Sequence, residues 1–158
     1  MANKIQRARR HILCFNHNLN DDLEAQEIRV PWADSTEQPV TGTKNAHTCL
    51  YAMRLLKFGI KPEADLTNNF TIDVKLSSIA GTGGAGGDAI TLVATATTAQ
   101  FGPYPGGDFK LIQVATSDFD ADPYIAANLD AVISITPSTD TGGGGQDYFI
   151  TSYWEMFI

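Results

Sequence analysis

The sequence predicts an all-β fold: a single jelly-roll-like β-sandwich of about eight antiparallel strands behind an extended N-terminal arm. Three observations carry this. Phe70, Ile72, Val74 and Leu76 alternate with Thr71, Asp73, Lys75 and Ser77, the period-two pattern of a strand with one buried face. Glycine- and proline-rich punctuation at 81–87, 101–107 and 139–145 separates short apolar runs, and no helix could cross Phe101-Gly-Pro-Tyr-Pro-Gly-Gly. The runs recur about every ten residues, a sandwich rhythm, and no fixed-period repeat supports a solenoid or propeller. The 158 residues suit one domain, divided here into an arm over 1–11 and a sandwich over 12–158.

In chain order, residues 1–11 hold Lys4, Arg7, Arg9 and Arg10 with little apolar content, so they are expected as a basic arm. Ile12–Phe15 is a short strand, followed by the turn formers Asn16, Asn18, Asn20, Asp21 and Asp22. Glu27–Val30 ends against Pro31. Cys49–Phe58 is ambiguous. Leu50, Met53 and Leu56, with Gly59 and Pro62 behind them, suit a helix, but the strand rhythm downstream argues that pairing overrides propensity. Phe70–Ser78, Ala89–Ala96, Phe109–Thr116, Leu129–Thr136 and Tyr148–Met156 complete the strands. The last is apolar on both sides, with Tyr148, Ile150, Trp154 and Met156 on one face and Phe149, Tyr153 and Phe157 on the other. Such a strand must be covered twice, by a loop or by another subunit.

Composition narrows the function classes. Net charge is −7, but residues 1–62 carry nine basic and six acidic side chains, and residues 63–158 carry two basic and twelve acidic. An acidic body repels phosphate backbones, so no nucleic-acid partner is expected for the main domain. No stretch approaches the ~18 apolar residues of a membrane span, and no secretory h-region opens the chain, so no membrane partner is expected. Two cysteines are too few for a disulfide framework, and both are expected as thiols.

The candidate chemistry is thin. Gly81-Thr-Gly-Gly-Ala-Gly matches a dinucleotide fingerprint formally, but a strand pattern follows it where a helix N-terminus is needed, so a hairpin loop is expected. Asp118, Asp120 and Asp122 have a calcium-loop spacing, yet Pro123 stands where the loop needs glycine and Leu129 where it needs glutamate. Cys14, His17, His47 and Cys49 are soft ligands at non-standard spacing, and buried cysteines are common as small hydrophobes, so no metal is expected. No nucleophile elbow, zincin helix or P-loop occurs, and no catalytic residue or cofactor is assigned. Tyr104, Tyr124 and Trp32 could stack on sugars. The simpler expectation is that Trp32 packs under the N-terminal segment and Tyr104 plugs a sandwich end.

The strand Tyr51–Ile60, then Phe70-Thr-Ile-Asp-Val-Lys-Leu, Gly106-Gly-Asp-Phe-Lys-Leu-Ile-Gln-Val and Leu129-Asp-Ala-Val-Ile-Ser-Ile, resembles the jelly-roll domains of tailed-phage virion proteins, both capsid decoration (cement) proteins and fibres. The resemblance covers about residues 49–136. The closing strand and the basic arm depart from the pattern. It implies a non-enzymatic structural protein on the capsid exterior, oligomeric with a trimer favoured, bound to the major capsid protein. Lys4, Arg7, Arg9 and Arg10 would then lie on the shell, and Phe149, Tyr153, Trp154 and Phe157 would form the subunit interface. The alternative is a carbohydrate- or receptor-binding fibre module that uses Tyr104 as its glycan contact.

Overall fold

The computed structural model describes residues 10–20, 24–32, 38–39, 46–62, 66–80, 90–100, 111–140 and 147–158. Two antiparallel sheets face each other. The first runs β1 (Arg10–Asn20), β11 (Asp147–Phe157), β5 (Ala52–Pro62), β8 (Ile112–Ala115), with β9 (Tyr124–Ile125) also pairing β5. The second runs β3 (Gln38–Pro39), β2 (Ile28–Arg29), β10 (Leu129–Pro137), β6 (Ile72–Ala80), β7 (Ile90–Thr97), with β4 (His47–Cys49) also pairing β10. The all-β sandwich is therefore as expected. The described strand count exceeds eight by β3, β4 and β9, stubs of two or three residues that pair beside longer strands, and β2, inside the expected Glu27–Val30, is itself only two residues. No described helix is long and apolar enough to cross a membrane.

The core follows from alternation. Phe70, Ile72, Val74 and Leu76 are all buried, as are Ala131, Ile133 and Ile135 on β10, the last two opposite Leu76 and Val74. Of residues 49–58, where propensity favoured helix, Ala52–Phe58 are strand and Leu50–Tyr51 a bend after β4, because β5 pairs with β11 along its length and with β8 and β9 on its other side. Two expectations about the front of the chain are corrected. The asparagine-rich stretch 16–20 is strand, since His17 and Leu19 point into the core while Asn16 and Asn18 point to solvent, and β11 pairs with it throughout. Arg10 and His11, expected in the arm, already pair with Phe157 and Met156. Lys4, Arg7 and Arg9 lie outside the described residues, as do Tyr104 and the glycine runs at 81–87 and 142–145.

One irregularity sets the geometry of the first sheet. The β5–β11 register shifts at Tyr153/Trp154, pairing Tyr153 with Lys57 and Trp154 with Leu55, so Leu56 is an extra, unpaired residue. A bulge of this kind re-aims the strand after it. Met53 and Leu55 face inward before it, and Phe58 and Ile60 face inward after it. That leaves Lys57 and Gly59 on the outer face.

Candidate functional site

The outer face of the first sheet is built in cross-strand rows. Cys14, Tyr153, Lys57 and Ala115 form one row, and Asn16, Thr151, Gly59 and Gln113 the next. Gly59 is the floor of a groove. A β-carbon there would stand 3.1 Å from Leu111 Cδ1, so the leucine lies directly over the glycine. Around it Ile12, Leu56, Lys57, Leu111, Gln113, Thr151 and Tyr153 enclose about 710 Å³. Beside the groove Ile12 at 58% exposure, Leu111, just before β8, at 53% and Tyr153 at 42% are open to solvent, and Phe149 on the same face is open at 47%. Singly exposed apolar residues are ordinary; a contiguous group of this kind marks an interaction surface. Tyr153 lies opposite Cys14, and interaction of its phenol hydroxyl with the Cys14 sulfur holds the phenol's pKa above its ordinary value.

One end of the face is polar and braced. The Arg54 guanidinium donates to both carboxylate oxygens of Asp122 at 2.8 and 2.9 Å, reaches Glu155 at 3.5 Å, and lies 5.3 Å from the centre of the Phe157 ring, which also meets Tyr124. Hydrogen bonding to Asp122 is the main cause that raises the Arg54 pKa. A bidentate fork is geometrically specific, and it pins the loop before β9 to the start of β5.

The structure separates the residues grouped as an interface from sequence. Phe149 and Tyr153 are on the outer face and exposed, and Phe157 is half-buried beneath Arg54. Trp154 is a correction. It is fully buried and points the other way, because successive strand residues alternate, so it fills the core and offers nothing to a second subunit. Ile12, Leu111 and Gly59 were not anticipated. Ile12 was legible as the outward member of its strand, whereas the Gly59–Leu111 contact depends on the pairing of β5 with β8.

The remaining candidates resolve into structural roles. Asp118 accepts from the Ala115 amide and Asp120 from the Thr95 amide, both at 2.7 Å, while Asp122 binds Arg54. The three carboxylates thus serve three different partners. Cys14 faces solvent, whereas His17 three residues on faces the core, so the four soft ligands cannot converge. Among the described residues no group of three metal-binding side chains occurs. His17 and His47 instead pack around Trp32, which stacks on His47 at 4.9 Å and meets His17 at 5.2 Å, Phe15 at 5.2 Å and Trp154 at 5.5 Å. Trp32 therefore packs under the N-terminal strand, as expected, and this aromatic cluster joins the two sheets. Desolvation by burial lowers the pKa of both histidines, opposed in the case of His17 by the Pro31 carbonyl and in the case of His47 by Asp130.

No protein-family model matches the sequence, and no curated protein matches it. Among solved structures, a chain in a structure of infectious bursal disease virus, Gt strain, aligns with 99% of this chain and 37% of its own length, at 11% identity and a TM-score of 0.45. A chain from the Gx strain of the same virus aligns with 99% of this chain and 36% of its own, at 10% identity and a TM-score of 0.44. The chain spans little more than a third of the virus chains to which it is similar.

Proposed function

We propose that the chain is a non-enzymatic structural protein of a virion, a decoration or cement protein that seats the outer face of its first sheet on the major capsid protein at the capsid exterior. The observation that carries this reading is the apolar outer face, with Ile12, Leu111 and Tyr153 exposed around a groove and Phe149 exposed on the same face. Cementing needs broad contact area and repetition more than a reactive centre. The other candidate groups are consistent with that division of labour: His17 and His47 are packed against Trp32, Asp118 and Asp120 accept from amides, Asp122 binds Arg54, and Cys49 is buried. The basic residues Lys4, Arg7, Arg9 and Arg10 add a cationic segment next to β1, suited to an acidic shell surface.

The test is quantitative mass spectrometry of purified particles from the source, with a Tyr153→Glu variant in parallel. A copy number comparable with that of the major capsid protein, lost in the variant, is the expected result. A handful of copies moves the chain to a fibre, the setting of the glycan-binding alternative, and absence from particles overturns the virion reading.

A further inference from the structure

A sandwich exposes the outer edges of its two sheets, and edges invite further strands unless they are blunted by shortness, proline, charge or a bulge. Among the described residues the sheets end in four strands, and three of these edges are blunted. β3 has two residues and β8 has four, and the pairing of β7 with β6 shifts register at Leu76/Ser77. β1 is different. It is eleven residues long, its register with β11 runs unbroken from Arg10↔Phe157 to Asn20↔Asp147, and between its ends it holds no proline, lysine or carboxylate. Among the described residues β11 is its only strand neighbour.

We propose that β1 is the pairing edge for a second copy of this chain, joined antiparallel, β1 to β1, about a two-fold axis. Charge selects the occupant and its direction. Arg10 opens the strand, with Arg7 and Arg9 before it in the sequence, and Asp21 and Asp22 follow its last residue. An antiparallel copy brings the cationic end of each strand to the anionic end of the other, whereas a parallel copy sets like against like. Full overlap of the two strands places Phe15 opposite its own copy, Cys14 opposite Asn16, Ile12 opposite Asn18 and Arg10 opposite Asn20. No like charges meet in that register, and Ile12, Cys14, Asn16 and Asn18, all exposed, share one side of it. The contact is isologous and closes with two copies, not with the three favoured by the family resemblance. It would run the first sheets together with Ile12 on both sides of the seam, so the two apolar grooves become one continuous face. The pairing goes beyond the proposed virion role, and its test needs no particle.

Sedimentation velocity of the full chain across a concentration series is expected to give twice the 17.1 kDa chain mass, less of it at high salt. The Ile12→Lys/Asn18→Lys variant sets like charges opposite each other at both ends of the seam and is expected to weaken the dimer roughly tenfold or more. Ile12→Lys/Asn18→Glu, which pairs opposite charges at the same positions, is expected to restore it, and unchanged far-ultraviolet circular dichroism shows that both variants fold. Asn16→Cys under mild oxidant is expected to give a covalent dimer through Cys14 of the other copy. A monomer persisting to about 100 μM, a trimer, or a dimer indifferent to the lysine pair would each overturn the proposal.

Discussion

Ser152 on β11 and His17 on β1 hold their side chains 3.1 Å apart inside the sandwich, in a run of hydrogen bonds that favours the neutral histidine. The Trp154 indole donates to the Ser152 oxygen at 3.0 Å, and His17 Nδ1 lies 2.6 Å from the Pro31 carbonyl. A carbonyl only accepts, so Nδ1 carries the proton. Nε2 is then the acceptor for the Ser152 hydroxyl, and the chain from Trp154 through Ser152 and His17 to Pro31 is complete with a neutral ring. A second proton on Nε2 would leave the serine hydroxyl hydrogen without its acceptor and put a charge in a buried site.

Acid should therefore loosen the fold. Both His17 and His47 have folded pKa values below the ordinary 6.5, so the unfolded chain binds protons first as pH falls. Stability from this source is complete above that value and is lost below it, at up to about 1.4 kcal/mol per pH unit for His17 until the folded state also protonates. Urea midpoints at pH 7.5 and pH 5 should differ, and His17→Gln should show a smaller difference than the parent despite its lower stability at neutral pH.

Trp154→Ala should cost about 3–5 kcal/mol, the usual range for removing a large aromatic side chain from a packed core. The residue is fully buried, contacts Trp32 and donates to Ser152. Denaturant unfolding measures this directly, and a loss under about 1 kcal/mol would contradict its placement in the core.

Phe149→Asp and Tyr153→Asp should leave the unfolding midpoint within about 0.5 kcal/mol of the parent, because both side chains are on the outer face and nearly half exposed. The same two changes should abolish incorporation into particles. Thermal melts paired with particle mass spectrometry read the two effects separately.

The two thiols should react at different rates. Cys14 is exposed, whereas Cys49 is buried and its pKa is raised to about 11, first by desolvation. The thiolate is the nucleophile. Native protein at pH 8 should take up one iodoacetamide, mapped to Cys14 by peptide mass spectrometry, and a second only after unfolding.

Much of this was legible in the residues. Alternation at Phe70–Leu76 and at Leu129–Ile135 assigns strand and buried face together, because a strand's two-residue period is a property of the local backbone. The alternation in Tyr148–Phe157 likewise separates Trp154 from Phe149 and Tyr153, because a strand cannot present both of its faces to one partner. The asparagines at 16, 18 and 20 look like a turn because their side chains compete locally for backbone groups. Only the long partner β11 turns them into the solvent side of a strand.

What the sequence by itself determined is therefore the class of fold, most inward-facing side chains, and a charge divided between a basic front and an acidic body. The tertiary structure decided which strands meet. It joined the first strand to the last, placed the bulge at Leu56, and through that bulge turned Gly59 outward beneath Leu111. The reason is physical: burial depends on the pattern within one strand, whereas register and neighbour are set by the joint packing of segments far apart in the chain, which no local run of residues encodes.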